Sequence, residues 1–108
     1  MSESDWKAFL SLVPVLRERY LKKINAELKG LLDAPGLSAT ERFWNAHQKV
    51  TEEASILKQC LDGHRRSRMI SFIHEMLACG LMDIGDLTVF SEELQEKAKS
   101  WHEENTAN

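Results

Sequence analysis

Apolar residues recur along the start of the chain at a helical period. Phe9, Val13, Leu16, Tyr20, Ile24, Leu28 and Leu31 are separated by three or four residues each. That spacing puts them on one face of a helix over about residues 4–32. Ser4 is its expected N-cap. Pro14 lies inside the stripe, lacks an N–H and crowds the carbonyl of Leu10. A kink or short break between two collinear pieces is therefore expected there. Asp33-Ala-Pro-Gly36 reads as a turn.

The second segment opens on Ser38-Ala-Thr-Glu41, the pattern of a capping box. Phe43, His47, Val50, Ala54, Leu57 and Leu61 follow at alternating steps of four and three. This heptad seam predicts antiparallel packing inside a bundle, and it also suits pairing between chains. Gly63 stands where a C′ glycine ends a helix. A third helix is expected over residues 66–79, with Met69, Ile70, Ile73, Met76 and Leu77 inward and Gly80 as its stop. Asp83 then caps a short helix over 84–90, and Ser91 caps another. Leu81, Ile84, Leu87 and Phe90 recur every three residues, as a lid on the third helix would. Residues 103–108 read as a frayed tail and residues 1–102 as one helical domain.

No segment alternates apolar and polar residues through a β-branched run, so no strand is expected. The fold class is all-α: a small antiparallel helical bundle of about three main helices plus a short helical C-terminal corner.

Composition narrows the setting. The chain has 108 residues, one domain's worth, with 43% apolar and 29% charged residues. Cys60 and Cys79 follow an acidic, polar start with no apolar export signal, so free thiols and a cytoplasmic location are expected. No run approaches the roughly 20 apolar residues of a membrane span, so no membrane partner is expected. The net charge is −3, unevenly spread, with two lysines against seven acids in residues 81–108. A weakly acidic chain does not favour a general nucleic-acid binder.

Motifs of known chemistry are missing. There is no Walker loop, Rossmann glycine set, nucleophile elbow, HExxH, EF-hand loop or CxxC. No catalytic residue and no cofactor is assigned, and the chain is not expected to be an enzyme. Cys60, His64, His74 and Cys79 are the weak candidates for a zinc site, since ligands one helical turn apart can share a metal. The five-residue step from His74 to Cys79 turns those two apart on a regular helix. His47 reads as a seam histidine.

His64-Arg65-Arg66-Ser67-Arg68 stands at a predicted helix start, where the dipole disfavours cations. Arg65, Arg66, Ser67 and Arg68 would suit an anion or an acidic partner. Intramolecular pairing with Asp62 or the acidic C-terminal segment is the competing expectation. Trp101, on a polar helix, is a candidate interface anchor, and folding back onto the bundle is its alternative. Adjacent glutamates such as Glu52-Glu53 diverge on a helix and read as solvated. The expected function is a non-catalytic protein-interaction module: an adaptor, regulator or inhibitor of bacterial or phage type, with an unidentified protein partner or self-association. Nucleic-acid or anion binding through residues 64–68, and metal binding, are the alternatives.

Overall fold

The first stripe folds as a single unbroken helix. In the computed structural model, which describes residues 2–106, α1 spans Glu3–Leu32. Its cap is Ser2 rather than Ser4: the Ser2 hydroxyl accepts from the Asp5 N–H at 3.2 Å. The helix passes through Pro14 without a break. Phe9, Val13, Leu16, Tyr20 and Ile24 are all buried, on both sides of the proline. Proline inside a helix costs about 3 kcal/mol. Each buried large side chain contributes about 1.5–3 kcal/mol, so keeping the stripe in register outweighs the lost hydrogen bond.

α2 spans Ala39–Leu61 and runs back along α1 after a short turn. Its capping box is present: Ser38 Oγ accepts from Glu41 N–H at 3.1 Å, and Glu41 Oε1 accepts from Ser38 N–H at 3.3 Å. Ser38→Ala is expected to cost about 1 kcal/mol in a urea melt. Arg42 Nε donates to the Ala34 carbonyl at 2.8 Å and closes the turn. Gly63 has a φ of 70° and Gly80 a φ of 85°. Both lie in the left-handed region that favours glycine, and both are the helix stops the pattern predicts.

The third segment begins later than its apolar pattern implies. Arg66–Arg68 form a 3₁₀ turn, and α3 spans Met69–Cys79. No side chain caps the 3₁₀ turn or α3. A tightened first turn is a common way to enter a helix. The three-residue spacing after Gly80 is explained by a second 3₁₀ turn, Ile84–Val89, which has three residues per turn. Leu81, Leu87 and Phe90 are buried. α4 spans Glu92–Thr106, longer than a short corner and helical through part of the segment read as a frayed tail. Ser91 Oγ accepts from Leu94 N–H at 3.3 Å. Buried Asp5 accepts from the Ser91 N–H and hydroxyl, both at 2.7 Å, which fastens the start of α4 to the start of α1.

The molecule is all-α, with four α-helices, two 3₁₀ turns and no strand among the described residues. Its core lies at one end. The main apolar cluster runs from Phe9 to Ile24 on α1, resumes at Cys60, and is completed by α3, the second 3₁₀ turn and α4. Between Ile24 and Cys60 only the partly buried Leu28, Ile56 and Leu57, all next to the body, pack against that cluster. The far ends of α1 and α2 thus form a two-helix arm on a small body. The extents of 53 × 29 × 19 Å reflect this, as does a radius of gyration of 16.6 Å against about 13 Å for a compact chain of this length. Among the described residues, no helix is long and apolar enough to cross a membrane.

Candidate functional site

The seam expected to face inward on α2 divides. Leu61 is buried and Leu57 half-buried, but Phe43, His47 and Val50 are exposed. The inward row is Ala46, Glu53 and Cys60, seven residues apart and one position before the seam. A helix can turn only one face toward α1. The small and polar row takes that place, and the apolar row along the arm faces out. Phe43 is 58% exposed, Trp44 57% and Val50 48%. Phe43 meets Trp44 edge-on at 5.1 Å, and Trp44 meets His47 edge-on at 5.3 Å. This face carries no charged side chain. Lys49, the one charged residue between Arg42 and Glu52, turns to the other side and pairs with Glu27 and Glu53.

Glu53 is buried where the arm leaves the body. Tyr20 donates to its Oε2 at 2.5 Å, and Lys49 Nζ lies 3.2 Å from its Oε1 and 3.5 Å from Glu27. Both carboxylate oxygens are therefore engaged, which is what lets a glutamate sit inside. Burial pushes the Tyr20 phenol well above its ordinary range, helped by the bond to Glu53. The cluster is a joint between α1 and α2.

Cys60 and Cys79 come together, with their sulfurs 3.3 Å apart. His64 and His74 do not join them. His64 donates from Nε2 to the Cys60 carbonyl at 2.8 Å and lies edge-on between Phe9 and Phe72, at 5.0 and 4.5 Å. His74 stacks on Trp101 at 4.3 Å, its Nε2 has no hydrogen-bond partner among the described residues, and burial lowers its pKa. Among the described residues no group of three or more His, Cys, Asp or Glu is placed to hold a metal. The zinc set drawn from spacing is thus not assembled, because its two histidines serve packing.

The basic cluster is spread rather than convergent. Arg66 pairs with Glu3 of α1 at 2.6 Å, a partner distant in sequence and neither of those expected. Arg68 lies over the Phe72 ring at 5.6 Å. Arg65 and Ser67 are exposed. The hollow beside Arg65 and Arg68 is also lined by Asp62 and Glu75, so its charge is mixed. Arg66→Gln is expected to lower stability by up to about 1 kcal/mol, and less at high salt. Arg65→Gln should change it by less than about 0.5 kcal/mol. Urea melts at two salt concentrations check both. Trp101 turns back onto α3 against His74 and is half-buried.

The outward aromatic face was assigned to the core by its spacing, and the joint at Glu53 was assigned to solvent. One signal could have found both. Ala46, Glu53 and Cys60 form a heptad row beside the seam, so α2 has two rows competing for one inward face. Compared with known protein families, curated proteins and solved structures, the chain matches none of them.

Proposed function

We propose that this chain is a non-catalytic protein-interaction module that works through the outward face of α2. The observation that carries this reading is the contiguous, uncharged surface of Phe43, Trp44, His47 and Val50 on the arm. A scattered exposed apolar residue is ordinary, but a contiguous aromatic patch marks an interaction surface. Tryptophan and large aromatics are also the residues that most often anchor interfaces.

The titratable groups add support. Glu53 and Asp5, the buried carboxylates, have their oxygens taken up by structural partners. Anion or nucleic-acid binding at residues 64–68 has less support, because Arg66 is already paired and two carboxylates share the hollow. Cysteine usage favours a cytoplasmic setting.

Affinity capture with the wild type and the Val50→Glu variant tests the reading. The wild type is expected to retain a protein partner and the variant to lose it, with helicity unchanged and the same melting temperature in dilute solution. Retention of the same partner by both, or a demonstrated turnover activity, would contradict it.

A further inference from the structure

We infer that the outward face of α2 takes the same face of a second copy of this chain, antiparallel, so that two arms form a four-helix bundle. This rests on reading that face as an interaction surface. The exposed row steps by four and three, the spacing that interlocks with another helix of the same spacing. α2 itself supplies such a helix. A two-fold interface sets a surface against itself, so a charged face would repel its copy. This face is uncharged, and Lys49 is held on its far side by Glu27 and Glu53. The antiparallel arrangement keeps the two bodies at opposite ends.

The exposed area agrees. The chain exposes 7002 Å². A compact monomer of 12.4 kDa exposes about 6,100 Å². The excess of about 900 Å² belongs to the elongated chain as a whole, of which the arm is part. A standard interface takes roughly 800 Å² from each partner.

Sedimentation equilibrium of the full chain tests this. The wild type is expected at twice the chain mass, in a concentration-dependent equilibrium. His47 lies near the centre of the row, where an antiparallel copy sets a position against itself. His47→Lys and His47→Glu should each weaken pairing by about 100-fold or more, since each brings like charges together. Val50→Glu, which falls against the partner's apolar end of the row, should also weaken it, by burying a lone charge. An equimolar mixture of the two His47 variants should regain the doubled mass, which a different partner protein would not produce. A wild type that stays at one chain mass overturns self-pairing. If Val50→Glu still abolishes capture of another protein, the interaction reading survives that result. If the substitution changes neither mass nor capture, both fall.

A second inference stands on a separate observation. The geometry points to Cys60 and Cys79 as an oxidisable dithiol that a peroxide closes into a disulfide between α2 and α3. Their sulfurs are 3.3 Å apart. A disulfide needs about 2.05 Å, so the sulfurs must approach by only about 1 Å. Cys60 is buried, and burial with the neighbouring Cys79 keeps it protonated, with a pKa of about 12. Cys79 is the more exposed and takes the first step. Its thiolate attacks one peroxide oxygen, the O–O bond breaks, and the departing hydroxide takes up a proton as water. The Cys60 sulfur then attacks the sulfenic sulfur of Cys79. The S–O bond breaks and a second water leaves with the Cys60 proton. Two thiols and one hydrogen peroxide give one disulfide and two waters.

Hydrogen peroxide added to the folded wild-type chain tests this, read by thiol titration and peptide mass spectrometry. Both thiols are expected to disappear together, in a single chain lighter by two hydrogens, with a linked Cys60–Cys79 peptide and a raised melting temperature. Cys60→Ser should stop at oxidised Cys79 without a link. Unlinked oxidation of the wild type, no reaction in the folded state, or a link formed only in denaturant would overturn it.

Discussion

Phe9→Ala is expected to remove about 3–5 kcal/mol of stability, a large share of the roughly 5–15 kcal/mol a domain of this size holds. Phe9 is fully buried. Its ring stacks with Trp6 at 5.7 Å and meets His64 at 5.0 Å, so it ties α1 to the segment joining α2 and α3. Truncation leaves a cavity lined by side chains from separate elements, which cannot all collapse into it. Phe43→Ala removes the same atoms and should cost less than about 0.5 kcal/mol in dilute solution, because Phe43 is exposed on the arm. Urea melts of the two variants check the contrast. Equal losses would mean that α2 buries its apolar row.

Raising the pH under reducing conditions is the second large perturbation. Burial, the Cys79 thiol and the Glu75 charge push Cys60 from 9.0 up to about 12. Burial and the bond to Glu53 push the Tyr20 phenol up from 10.0. For both groups the folded state holds a proton that the unfolded chain releases more easily. Their contribution is fully present below the unfolded values and is lost as pH rises toward the folded ones. Stability should hold to about pH 9 and then fall by on the order of a few kcal/mol by about pH 12. Cys60→Ala and Tyr20→Phe should each flatten the slope. Parallel slopes in all three proteins would show that neither group is shifted.

Much of this architecture was legible in the sequence because it is local. The α1 stripe, the Ser38–Glu41 capping box and the glycines at 63 and 80 each follow from a few neighbouring residues. The three-residue step from Leu81 to Phe90 already carried the period of a 3₁₀ turn. The inward row of α2 was not legible. A stripe rule assigns apolar residues to the core, and Glu53 becomes an inward residue only because Tyr20 and Lys49 meet it. Those partners come from packing, as does the Arg66–Glu3 pair between the start of α1 and the entry to α3. Phe72 was missed for another reason: α3 is apolar around most of its circumference, so spacing alone does not choose its inward set.

The central claim is that the Phe43–Val50 face does not hold the monomer together and serves instead to join two chains. Thermal melts of the wild type and Val50→Glu over a wide range of protein concentration test it most directly. At the lowest concentration the two should melt together. As concentration rises, the wild-type melting temperature should climb, because association stabilises the folded chain by mass action, and that of the variant should stay flat. A variant that melts lower by the same amount at every concentration would contradict the account, since it would place Val50 inside the fold.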